Sequence, residues 1–123
     1  MSERMRRVNE SVRAVVAETV RELKDPRIGL VTVTGVRVTP DLHEATVYVS
    51  VLGSEKKRRA TLAGLQSARG VLQSRINEQL SLRRTPTLTF EYDDSVARGV
   101  RMTALIDELA RELPDEEVDD ESE

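Results

Sequence analysis

The stretch from position 55 to 82 constrains the fold most. Leu62, Leu65, Leu72, Ile76 and Leu80 recur there at helical spacing, between two segments that alternate like strands. Unbroken, these 28 residues would form a rod of about 42 Å. A domain of this length has a radius of gyration of only about 13 Å, so the rod should bend. Its weakest point is Ser67-Ala68-Arg69-Gly70, since glycine costs roughly 1 kcal/mol against alanine inside a helix and is a usual place for a kink. Ser54 suits the N-cap at its start. A strand, a long helical crossover and a further strand imply parallel strands joined in the right-handed sense.

The rest of the chain fits around that crossover. Met5, Val8, Val12, Val15, Val16, Val20 and Leu23 give an amphipathic helix over 3–24, stopped by Asp25-Pro26. Residues 30–38 read as a strand in which Val31 and Val33 lie in one phase and Val36 and Val38 in the other, so a β-bulge is expected near Thr34-Gly35. Residues 44–51 form a second strand, with Ala45, Val47, Val49 and Val51 alternating with Thr46, Tyr48 and Ser50. The short link through Pro40-Asp41 makes the pair an antiparallel hairpin. Residues 87–92 are the third strand, and a last helix runs from Ser95 to about Leu113 before Pro114. The expected fold is α+β, ordered α-β-β-α(kinked)-β-α, a three-stranded sheet with its helices on one face. The organisation is one domain over 1–113 and a disordered acidic tail over 114–123.

Charge and composition then narrow the function. The net charge of −3 conceals a basic body: the last ten residues carry seven acids, and without them 19 bases face 15 acids. Sixteen of the bases are arginine, whose planar fork grips phosphate bidentately. With no cysteine and one histidine, disulfide scaffolds, zinc fingers, thiol nucleophiles and most metal sites drop out. Neither a secretory signal nor a membrane-spanning run is present, and a cytoplasmic protein is expected. P-loop, dinucleotide and nucleophile-elbow motifs are lacking too. Asp93-Asp94 precedes a helix start, where negative charge is stabilising anyway. His43 reads as a turn residue, and Tyr48 as surface packing. One Phe, two Tyr and no Trp leave little for base stacking on the sheet. Cofactors, metals and catalysis are not expected.

The bases cluster on or beside the first helix and the bent one. The candidate RNA contacts are Arg4, Arg7, Lys56, Lys57, Arg69, Gly70, Arg75, Arg83 and Arg84. A break at Gly70 would free the amides of Val71 to Gln73 as a phosphate site beside Arg69, and Gly70 would let a sugar-phosphate backbone approach. The plainer reading has these arginines paired with acids such as Glu78 and Glu55 on solvated faces. Two other classes compete with RNA binding: a dimerisation module working through the open sheet edge, and a metal hydrolase using Asp93 and Asp94.

Several stretches carry a family resemblance, in order and at matching spacing across nearly the whole folded part. They are Lys24-Asp25-Pro26-Arg27, Thr39-Pro40-Asp41-Leu42, Ala45-Thr46-Val47-Tyr48-Val49, Ala68-Arg69-Gly70, Pro86-Thr87-Leu88-Thr89-Phe90, Asp93-Asp94-Ser95 and Gly99-Val100-Arg101-Met102. The chain resembles ribosome-binding factor A, a bacterial family of small-subunit maturation factors, over roughly 7–109. The resemblance implies a type II KH-like domain whose usual Gly-x-x-Gly loop is replaced by a kink, here Ala68-Arg69-Gly70. It also implies binding to the immature 30S subunit through 16S rRNA, around the 5′ helix and the 3′ end. A non-enzymatic role in late rRNA processing and in growth at low temperature follows, alongside assembly GTPases. Apart from that resemblance, a monomer is expected. The acidic tail has no counterpart in this comparison; shielding the body from unrelated RNA is the role its charge suggests.

Overall fold

The computed structural model describes residues 2–93. The order is α1 (Glu3–Glu22), β1 (Val31–Val38), β2 (Glu44–Val51), α2 (Glu55–Ser67), α3 (Arg69–Gln79) and β3 (Thr87–Tyr92). The strands form one sheet in the order β1-β2-β3, β1 antiparallel and β3 parallel to β2. The helix expected from Ser95, with Asp94, Arg98 and Arg101, and the acidic tail lie outside the described residues.

Ser2 starts α1 by accepting a hydrogen bond from the Met5 N–H at 3.1 Å. The helix ends at Glu22, two residues short of the expected stop, because Leu23 is already extended at φ −70, ψ 141. Asp25 and Pro26 follow at once, in a turn closed by the Ile28 N–H on the Asp25 carbonyl at 2.9 Å. The bulge falls where the valine phases require it: Val33 pairs with Val49 and Gly35 with Tyr48, leaving Thr34 as the extra residue. Val33, Val36 and Val38 are consequently all buried on the same face. Thr34 donates its hydroxyl toward Asp93 Oδ2 (2.7 Å) and the Tyr48 carbonyl (3.2 Å).

The core lies between that face and the helices. It joins Val12 and Val16 of α1 to Val47 and Val49 of β2, Leu65 of α2, Leu72 and Ile76 of α3 and Leu88 of β3. Helix side chains also reach the sheet's outer strands: Asn9 accepts from the Val38 N–H at 2.8 Å, and Gln73 from the Leu88 N–H at 3.0 Å. One donor on each edge strand is therefore already satisfied, which blunts both edges against a further strand.

Thr61 and Gly64 hold the α1–β1 connection down on α2. The buried Thr61 hydroxyl accepts from the Gly29 N–H (3.2 Å) and donates to the Arg27 carbonyl (3.3 Å). A β-carbon at Gly64 would stand 2.7 Å from Ile28 Cγ1, so only glycine lets the connection lie this close. At the other end of the sheet, Leu42 adopts φ 62 in the β1–β2 link, a conformation that costs a leucine on the order of 1 kcal/mol. Its half-buried side chain packs on the core, and the Leu42 N–H closes the turn on the Thr39 carbonyl at 2.8 Å.

Two carboxylates fasten these connections. The Arg27 guanidinium and backbone hold Asp25 below its ordinary pKa. The Thr39 hydroxyl and then His43 hold Asp41 far below the usual carboxylate range. A carboxyl group depressed in the folded state stabilises above its unfolded pKa, ordinarily 3.8, and that contribution is lost as the pH falls through the lower folded value. The melting temperature should therefore be flat from about pH 7 to 5 and fall below about pH 4, with Asp41→Asn removing part of the fall. A melt by circular dichroism that stays unchanged down to about pH 3 would contradict this.

Candidate nucleic-acid interface

The expected break is present, and it lies at Ala68. Ala68 sits at φ −89, ψ 7, ending α2 and preceding α3. Its own N–H still reaches back to the carbonyls of Gly64 (3.1 Å) and Leu65 (3.0 Å), and the first bond of α3 runs from the Leu72 N–H to the Ala68 carbonyl at 3.1 Å. The amides left without an α3 acceptor are those of Arg69, Gly70 and Val71, which corrects the expectation of 71 to 73. The helix restarts one residue before Gly70, so Gly70 falls in its first turn. At the far end α3 stops at Gln79, short of the expected 82, because Leu80 is extended at φ −118, ψ 139.

This start differs from those of the other two helices. α1 and α2 begin on a serine whose side chain accepts a backbone hydrogen bond, and each carries a glutamate in its first turn. α3 begins on alanine, makes no side-chain cap, has no acid in its first turn and opens on Arg69. Positive charge at a helix N-terminus opposes the macrodipole. Amides without an intrahelical acceptor and an arginine in the same turn are what a phosphate needs. Among the described residues no atom beyond its own helix backbone and chain neighbours lies within 4 Å of where a β-carbon on Gly70 would stand, which leaves that side of the backbone open to a sugar-phosphate chain.

Ion pairing sorts the remaining bases. Arg6 and Arg7 pair with Glu3, Arg13 with Glu10, Arg27 with Asp25 and Arg59 with Glu55. Arg75 reaches Glu22 of α1 at 3.2 Å and Glu78 at 3.9 Å, so it braces α3 against α1. Among the described residues Arg4, Lys56, Lys57, Arg69, Arg83 and Arg84 have no carboxylate within 4.0 Å. They do not form one patch. Arg4 and Arg83 line one cleft, Arg4 and Arg7 the groove beside it, and Gly70 and Arg75 a shallow depression on α3. Lys56 and Lys57 follow the C-terminal end of β2, while the Arg4–Arg83 cleft includes the link that precedes it. Eight strand residues, about 27 Å at 3.4 Å each, lie between the two.

The opposite face of the sheet is not built for a polyanion. Thr32, Thr87, Thr89, Glu44 and Glu91 are exposed there, with Thr46, Tyr48 and Ser50 half-buried. Among the described residues Glu44, Glu91 and Asp93 outnumber Arg37 on that side, a charge balance that disfavours phosphate there.

Comparison with known proteins meets this geometry. The family model described as ribosome-binding factor A matches residues 4–106. The chain belongs to the ribosome-binding factor A family. The crystal structure of ribosome-binding factor A from Thermus thermophilus is 28% identical, with a TM-score of 0.66, over 72% of this chain and 93% of that one. A Thermotoga maritima protein assigned as a ribosome binding factor A, solved in solution, is 29% identical, with a TM-score of 0.69, over 77% and 92%. A homology model of the Thermus thermophilus ribosome binding factor A, fitted into the cryo-electron microscopy map of a complex with 30S, is 29% identical with a TM-score of 0.59, over 70% and 91%. The ribosome-binding factor A architecture, an α+β KH-like domain on a three-stranded mixed sheet, is the one described above.

Within this member of the ribosome-binding factor A family, two features escaped sequence reasoning. Thr61 and Gly64 share the buried stripe of Leu65, Leu72 and Ile76, and their spacing could have exposed them. Arg58 stands 4.4 Å over the Tyr92 ring, with its Nε buried and without a hydrogen-bond partner among the described residues. Among the described residues the run Lys56-Lys57-Arg58-Arg59 therefore splits into two cations without a carboxylate partner and two engaged ones. No sequence signal distinguishes them, because Tyr92 arrives from another element.

Proposed function

We propose that the chain is a non-enzymatic assembly factor that docks its helical side onto 16S rRNA of immature 30S subunits. The observation that carries the reading is the uncapped start of α3, which opens on Arg69, has no acid in its first turn and leaves the amides of Arg69, Gly70 and Val71 without an α3 acceptor. The 30S complex of the Thermus thermophilus relative supports it, as does the contrast between a cationic helical side and an acidic sheet face. Arg69 and Gly70 are the inner contacts. Arg4, Arg83 and Arg84 form one flank and Lys56 and Lys57 the other, while Arg7 and Arg75 contribute only by exchanging a carboxylate for a phosphate. The region of the 5′ helix and 3′ end, late rRNA processing, growth at low temperature, interplay with assembly GTPases and a cytoplasmic monomer complete the proposal.

Sedimentation of a cell extract through sucrose tests it: the protein should travel with free small subunits and be absent from polysomes. Travel with polysomes, or at the top of the gradient alone, would overturn the reading. With purified small subunits, log affinity should fall steeply with log salt concentration, and Arg69→Ala should lower that slope by about 1. An affinity indifferent to salt contradicts phosphate docking.

A further inference from the structure

We propose that a second RNA site lies at the hairpin end of the sheet and holds one unpaired base of a single-stranded segment, with its phosphates on Arg4 and Arg83. The proposal rests on the RNA-binding reading above and adds a subsite to it. The first turns of α1, the β1–β2 link and the α3–β3 connection enclose a cleft of about 470 Å3, within the range of small-ligand pockets. Met5, Val8, Leu42 and Leu82 supply its apolar part, and each is half-buried, packed on the core from behind. Leu42 reaches it from a link that holds the residue at φ 62.

The charged groups of the cleft favour a nucleotide. Arg4 and Arg83 are exposed and have no carboxylate partner among the described residues. The cleft also contains Asp41, whose oxygens already accept from the Thr39 hydroxyl at 2.7 Å and the His43 N–H at 3.0 Å, with His43 Nδ1 2.9 Å away. A nucleobase has apolar faces to lie among aliphatic side chains and carries phosphates on either side. Arginine planes also stack on bases where no aromatic ring is available. Paired bases keep their faces in the stack, so the site should distinguish single strands from duplex.

The test uses the full chain and a fluorescein-labelled single-stranded RNA ten-mer, the same ten-mer with one abasic position, and its duplex. Affinity for the intact strand should exceed that for the abasic strand and the duplex by about tenfold, and the ratio should collapse toward one in Arg4→Ala/Arg83→Ala. Both replaced side chains are exposed, so an unchanged thermal melt checks that the variant is folded. Equal binding of all three RNAs overturns the base site and leaves the RNA reading standing. Failure to bind any RNA or small subunit overturns that reading itself. A photo-crosslinking residue replacing Ser81, which lines the cleft, should mark rRNA on 30S subunits; marks on ribosomal protein alone would assign the cleft to a peptide instead.

Discussion

Replacing Arg69 by glutamate is expected to weaken binding to small subunits about 100-fold, on the order of 3 kcal/mol, while making the free protein slightly more stable. The two effects share one cause. Arg69 opens a helix that has no capping side chain and no acid in its first turn. A carboxylate there would favour the macrodipole by about 0.5 kcal/mol and could accept from the free amides of its own turn. The anion site would then be filled from within, and an incoming phosphate would meet like charge. Affinity titrations and thermal melts on the same preparation should move in opposite directions. A variant that loses binding and stability together would show Arg69 to be part of the packing.

Two glycines six positions apart should respond oppositely to added side chains. Gly64→Val is expected to destabilise by about 3 kcal/mol, lowering the melting temperature by roughly 10 to 20 °C. Its β-carbon alone would lie 2.7 Å from Ile28 Cγ1 and 3.4 Å from Asp25 Oδ2, and two further methyl groups add to that crowding. The 25–29 connection would have to lift, straining both hydrogen bonds of Thr61. Gly70→Ala meets nothing within 4 Å and should stabilise by up to about 1 kcal/mol through helix propensity. If the RNA backbone approaches at Gly70, the same alanine should weaken subunit binding several-fold. Urea titrations of both variants giving shifts of the same sign would contradict the assignment of tight packing to Gly64 and open surface to Gly70.

Much of this fold can be read from one-dimensional patterns because its core is built of valine and leucine at regular spacing. The phase change between Val33 and Val36 requires an extra residue, and Thr34 is that residue. The length of the crossover requires a break, and Ala68 provides it. The place of the free amides was two residues off, since glycine marks where a helix is weak and Ala68 marks where the backbone turns. The candidate site was less legible. Whether an arginine is free or engaged depends on partners from other elements: Glu22 reaches Arg75 across a helix pair and Tyr92 reaches Arg58 from the sheet. The distance between Lys56 and Arg83 likewise follows from the run of β2, which no local signal reports.

The most direct test of the attachment is the structure of this chain on an immature 30S subunit. An rRNA phosphate should lie within about 3 Å of the amides of Arg69, Gly70 or Val71, with Glu44 and Glu91 turned to solvent. Density placing the threonine- and glutamate-bearing sheet face against rRNA, with the α2–α3 junction in open solvent, would contradict it.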